Sequence, residues 1–202
     1  SMPKVTSVGK NAFRGCKSLV SVSMPKVTSI GENAFQGCKS LVSVSMPEVT
    51  SLESFAFYSC SVLSSVSIPK VASLEAWVFC DCSSLVSVSM YNVTRVKKGA
   101  FNGCPQLNAI ELGQSDPTMI EIDESVFEEV SFGNVTLYVP TGSKSDYESV
   151  FGINIFKEIK EKDFIDDDAT YVIVIDKEGV QHNFEATENV KVKWVKGAEL
   201  GK

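Results

Sequence analysis

Apolar side chains return along this chain at a fixed spacing of 22 residues. Met2, Met24, Met46, Ile68 and Met90 head five copies, and Val5, Val27, Val49, Val71 and Val93 follow three places later. Next come Val8, Ile30, Leu52, Leu74 and Val96; Phe13, Phe35, Phe57, Phe79 and Phe101; and Cys16, Cys38, Cys60, Cys82 and Cys104. Leu19, Leu41, Leu63, Leu85 and Leu107, with Val22, Val44, Val66, Val88 and Ile110, complete the unit. No column loses its apolar character across the five copies. Such self-similarity marks a solenoid, in which each unit buries its flat sides against its neighbours.

Within a unit, Leu19, Val22 and Met24 carry the L-x-x-L-x-L pattern of a leucine-rich repeat. Strand alternation sends Val22 and Met24 inward and Ser21 and Ser23 outward. The following Pro lacks an N–H and fixes φ, so it ends the strand and opens a corner. Residues 33–38 place apolar groups at i, i+1 and i+4, which predicts one helical turn on the opposite face, left through Gly37 or its equivalents. The fold class expected is therefore an α/β solenoid, a right-handed stack of 22-residue units.

A degenerate sixth unit carries Ile122, Phe127, Val130, Leu137, Val139 and Pro140 at similar spacing, with 113–119 inserted before it as a loop. The segment from Thr141 has a polar start followed by Tyr147, Val150 and Phe151, the pattern of a short amphipathic helix closing the stack. The organisation read from this is a repeat domain over 1–162: regular repeats at 2–111, a degenerate one at 112–140 and a C-terminal cap at 141–162. Residues 163–202 form a small β appendage. There, 171–175 and 180–184 read as a hairpin and 190–195 as a third strand, docked on the stack or belonging to a larger β domain. No cap precedes the first repeat, which leaves an edge suited to end-to-end self-association.

Composition adds a division rather than a new element. Residues 1–110 hold 10 Lys/Arg and 5 Asp/Glu, and residues 111–202 hold 9 and 20, so net +5 is followed by −11, giving the overall −6. Neither part gathers the basic patch needed to neutralise phosphates, which argues against nucleic acid as a partner. No apolar run reaches the ~20 residues of a membrane span, so no membrane insertion is expected, and no signal peptide is visible.

Five of the six cysteines share one inward column, and the sixth unit has Val130 there, so the slot reads as a place for a small apolar group rather than for a disulfide. Cys80 falls in a polar column with Arg14, Gln36, Tyr58 and Asn102 and is the exposed thiol candidate. With one His, His182, and no nucleophile, phosphate-loop or metal-ligand motif, the chain offers neither catalytic residues nor a metal or cofactor site; it is not expected to be an enzyme. The two Trp residues, Trp77 and Trp194, suggest no sugar-stacking platform.

The run at 27–41, with Ala34, Phe35, Cys38 and Leu41 spaced as I-x-x-x-A-F-x-x-C-x-x-L, resembles the BspA-like (Treponema pallidum-type) leucine-rich repeat. The segment at 137–147 resembles the closing module of such proteins from Bacteroides-like bacteria. The resemblance implies a secreted or cell-surface bacterial protein that binds other proteins, in adhesion to host matrix proteins such as fibronectin and fibrinogen or to other bacteria. It supplies no binding residues. From the sequence, the candidate face is the pair of outward ladders, Ser21, Ser43, Ser65 and Ser87 beside Ser23, Ser45, Ser67 and Ser89. The competing reading is a structural spacer or surface-coat element without a specific ligand.

Overall fold

A computed structural model describes residues 4–123, 126, 132–152 and 155–164, together with the two strands of a C-terminal hairpin. Contacts divide the chain into two units, Ser1–Phe164 and Ile165–Lys202. In the first, short strands succeed one another: β1 Ser7–Val8, β2 Ser21–Ser23, β3 Ser29–Ile30, β4 Ser43–Ser45, β5 Ser51–Leu52, β6 Ser65–Ser67 and β7 Ser73–Leu74. They continue as β8 Ser87–Met90, β9 Arg95–Val96, β10 Ala109–Leu112, β11 Glu121–Ile122, β12 Thr136–Pro140 and β13 Glu158–Lys162, with the helix α1 Lys144–Phe151 between the last two. The second unit contains β14 Tyr171–Ile175 and β15 Gln181–Glu185, an antiparallel pair with His182 opposite Val174. The third strand expected at 190–195 lies outside the described residues.

The strands form two parallel ladders along one solenoid. One orders β2-β4 and β6-β8-β10-β12-β13; the other orders β1-β3-β5 and β7-β9-β11. Register follows the repeat: Ser21 pairs with Ser43, Val66 with Val88 and Ile30 with Leu52. The second ladder was not foreseen, because two residues per rung are too few to show alternation. Both ladders are interrupted at the same joint, between β4 and β6 and between β5 and β7.

The expected helical turn is absent, and the α/β class with it: α1 is the single α-helix among the described residues, and the stack is a β-solenoid. The reason lies in where the backbone N–H groups go. Phe13, Phe35, Phe57 and Phe79 donate to the carbonyls of Ala34, Ala56, Val78 and Ala100 in the next rung at 2.7–3.0 Å, so those groups are not available for helical bonds to residue i−4. The neighbouring positions do the same, as in Gly15 to Gln36 and Gly37 to Tyr58. Two residues per turn, four apart, adopt left-handed backbone to make this geometry, among them Asn11 with Gly15 and Asn33 with Gly37.

The core is a set of longitudinal stacks. The rings of Phe13, Phe35, Phe57, Phe79 and Phe101 lie nearly parallel, with successive centroids 5.1, 5.1, 5.7 and 6.0 Å apart. Beside them runs a ladder of thiols. Cys38, Cys60, Cys82 and Cys104 each donate Sγ–H to a Phe carbonyl 25 positions earlier, namely Phe13, Phe35, Phe57 and Phe79, at 3.1–3.2 Å. Burial pushes all four thiols up, Cys60 and Cys104 to about 12. The slot is therefore more than a small apolar hole; it seats a weak donor against an otherwise unpaired carbonyl lone pair.

Two cysteines depart from expectation, and none of the six is in a disulfide. Cys80 is buried, with 4% of its surface exposed. A side chain ending at Sγ, set in one column between the larger Tyr58 and Asn102, lies below the surface they define. Cys16, read as core, is exposed in the first rung.

Helix α1 does not terminate the ladder as expected of a cap, because β13 follows it and pairs with β12 through Leu137–Ile159 and Val139–Glu161. Its own N-terminus is satisfied from a distance. Ser143, at the N-cap, uses its hydroxyl on the Pro140 carbonyl, while the Glu161 carboxylate accepts from the N–H groups of Gly142 and Lys144 at 3.0 and 3.1 Å. Tyr147 is fully buried and donates to the Gln114 carbonyl at 2.7 Å, tying the helix to the inserted 113–119 segment. Val150, expected on the apolar face, is exposed.

Candidate interaction face

The first strand ladder brings the eight predicted serines onto one face. Ser21, Ser23, Ser43, Ser45, Ser65 and Ser67 are exposed, and Ser87 and Ser89 are half-buried. Between the two serine columns, Val22 and Val44 are half-buried and Val66 and Val88 buried, as alternation requires. Beside them stands a column that sequence reasoning missed: Val20 and Val42 are 57% and 45% exposed, and Val86 lies in the same column. Strict alternation would send Val20 inward with Val22. The strand begins only at Ser21, however, and the corner before it breaks the parity.

The face changes character toward its C-terminal end. The column of Ser23, Ser45, Ser67 and Ser89 continues as Glu111, Tyr138 and Lys160. Here Glu111 accepts from Ser89 at 2.8 Å, Tyr91 at 3.1 Å and Lys162 at 2.5 Å. Burial pushes its carboxyl up, but the bonds from Lys162, Ser89 and Tyr91 outweigh that and hold it below the usual carboxylate range. Lys162 stands 5.9 Å from the Tyr138 ring centroid and 5.7 Å from that of Phe164, and the Phe164 ring packs 5.0 Å from Tyr91. Burial and the Glu111 charge push the Tyr91 phenol up. The result is a half-buried aromatic cluster with a satisfied ion pair at its centre. Its ion pair joins residues 51 apart in sequence, so no local motif announced it.

The opposite ladder presents Ser7, Ser29, Ser51, Ser73, Arg95 and Glu121 as one column. Arg95 and Glu121 pair at 2.6 Å in an open groove of about 700 Å³ walled by Thr118 and Met119. Trp77 is half-buried and stacks on Phe55 with centroids 6.4 Å apart and planes 7° from parallel. Among the described residues no group of three or more His, Cys, Asp or Glu comes together as a metal site would require. No helix among them is long and apolar enough to cross a membrane.

This geometry, with a seven-column unit, inter-rung turns and a thiol ladder, is matched at sequence level. A profile for the BspA-type leucine-rich-repeat region fits residues 6–132 and 89–165, in six copies. The chain belongs to the BspA-type leucine-rich-repeat family. Among solved structures, the BspA-type stack resembles the pneumococcal vaccine antigen PcpA with TM-score 0.55 and 16% identity, over 79% of this chain and 42% of that one. A leucine-rich cell surface protein from Faecalibacterium prausnitzii A2-165 matches at 26% identity and TM-score 0.35, over 55% and 43% of the two chains. A leucine-rich repeat protein from Bacteroides ovatus ATCC 8483 matches at 17% identity and TM-score 0.24, over 78% and 64%. This BspA-type chain thus spans about two-fifths of the length of the first two. Comparison with curated proteins returned no match.

Proposed function

We propose that this BspA-type chain is a non-catalytic protein-interaction module working outside the cell or on its surface, and that its first strand ladder is the contact face in adhesion to host or bacterial surface proteins. The observation that supports this reading is the composition of that face. Two rows of small hydroxyls, exposed up to Ser67 and half-buried at Ser87 and Ser89, and the exposed Val20, Val42 and Val86 lead into the Tyr91–Tyr138–Phe164 cluster, whose Lys162 and Glu111 are already paired. A flat, hydrogen-bonding, rigid surface costs little to order on binding, and aromatic groups supply the anchors that serines lack. The direct test is binding of purified chain to fibronectin- or fibrinogen-coated surfaces, with Ser43, Ser65 and Ser87 replaced together by Glu, and separately with Tyr91→Ala. Loss of binding in both variants, at unchanged melting temperature, is expected. Unchanged binding would remove this face from consideration, and an absence of binding by the unmodified chain would favour a spacer.

A further inference from the structure

The turns at 53–60 and 75–82 depart from the other three in a way that stacking does not require. Their left-handed positions hold Phe55, Ser59, Trp77 and Asp81, at φ 59°, 57°, 64° and 59°. The equivalent positions elsewhere hold Asn11, Asn33 and Gly99, or Gly15, Gly37 and Gly103. Asn and Gly tolerate this backbone region, whereas a bulky aromatic there is an outlier, and such outliers gather where a surface has a task beyond folding. The two aromatic outliers, Phe55 and Trp77, occupy adjacent turns on either side of the joint where both strand ladders are interrupted.

The strain presents an aromatic ridge. Phe55 stacks on Trp77, Tyr58 meets Phe55 edge-on at 5.9 Å, and all three are half-buried. Within these two turns the charge is one-sided, while Lys97 and Lys98 stand in the next turn, where Lys98 accepts the Trp77 N–H at its carbonyl. The turns at 9–16 and 97–104 each contain two cations and no carboxylate, whereas 53–60 and 75–82 contain Glu53, Glu75 and Asp81 and no cation. Glu75 is neutralised by Lys97 at 2.6 Å. Glu53 and Asp81 are exposed, and Asp81, through hydrogen bonding and charge, pushes the Tyr58 phenol up.

We propose that the Phe55–Tyr58–Trp77 ridge, flanked by Glu53 and Asp81, is a second interaction surface that binds an arginine- or lysine-bearing segment of a partner protein. Trp and Tyr are the side chains that anchor interfaces, and carboxylates at the rim of an aromatic patch select cationic groups by charge-assisted hydrogen bonds. The serine face is polar and flat and has no such selection, so this site is independent of the reading above.

The repeat itself supplies the control. Phe55→Asn with Trp77→Asn installs the residue that Asn11 and Asn33 show to be compatible with the same turn. The probe is a fluorescein-labelled peptide alternating Arg and Leu, beside its Glu-for-Arg counterpart, followed by anisotropy at low and moderate salt. The expected result is saturable binding of the Arg peptide only, weakened at least tenfold by the double Asn variant and by Asp81→Asn. In a Trp194→Phe background, where Trp77 is the sole indole, its emission should shift on binding. The melting temperature of the double Asn variant should stay level or rise, since strain is relieved. Absence of binding, equal binding of the Glu peptide, or affinity unchanged by the double Asn variant would each overturn the proposal. A fall in melting temperature with intact binding would show the ridge to be a structural staple and overturn it equally.

Discussion

Replacing Phe57 by Ala tests whether stability is a nearest-neighbour property of the stacked rings. Phe57 is fully buried and lies between Phe35 at 5.1 Å and Phe79 at 5.7 Å, whereas Phe13 is half-buried and has one neighbour, Phe35. Truncating a core Phe costs about 3–5 kcal/mol. Each stacked pair contributes about 0.5–1.5 kcal/mol beyond burial. The internal site, losing full burial and two pairs, should cost about 4–5 kcal/mol, and Phe13→Ala about 2 kcal/mol. Urea unfolding followed by far-UV circular dichroism and Trp fluorescence gives both values. Phe→Leu substitutions, which remove the ring but keep an apolar side chain, then isolate the pair energies. Phe35 and Phe57 are adjacent and should couple by about 1 kcal/mol, whereas Phe13 and Phe57 are two rungs apart and should add within about 0.5 kcal/mol. If Phe13→Ala cost as much as Phe57→Ala, or if the distant pair coupled as strongly as the adjacent one, the nearest-neighbour picture would be wrong.

Three further outcomes follow from the stacking of rungs. Because Cys60 and Cys104 titrate at about 12 in the fold against an ordinary 9, the unfolded chain releases protons that the folded chain retains between those values. Stability is thus complete below pH 9 and falls by about 1.4 kcal/mol per pH unit for each thiol above it. Urea midpoints from pH 8 to 10.5 should decline less steeply after Cys60→Val and Cys104→Val, and identical slopes would sink the argument. A thiol reagent should label Cys16 fast in the native chain and the remaining five only on unfolding. Gly99 has φ 65°, and a Cβ there would meet the Trp77 ring, so Gly99→Ala should lower stability by about 2–3 kcal/mol. Combining it with Trp77→Asn should restore roughly half, as read by thermal unfolding; no recovery would mean that the ring overlap contributes nothing.

The sequence alone determined the rung. A 22-residue period with fixed apolar columns leaves one way to bury both flat sides of every unit, so the stack, its register and the outward serines were legible before any coordinates. The strand positions Ile122 and Leu137 of the sixth unit were legible for the same reason, whereas its Phe127 and Val130 lie outside the described residues. Whatever depended on a neighbouring rung was not. Apolar groups at i, i+1 and i+4 fit a helical turn equally well, and only the next rung's carbonyls decided that the N–H groups of Phe35 and Gly37 bond sideways. Cys80 is buried because of what stands on either side of it in its column, and its own polar column gave the opposite impression. Glu161 satisfies the first turn of α1 from 17 and 19 residues away, and Lys162 reaches Glu111 across 51. Within the strands, local sequence determines which residues face inward, because side-chain alternation follows from backbone geometry. Which polar group meets which, and which thiol meets water, follows from packing between rungs, and tertiary structure decided it.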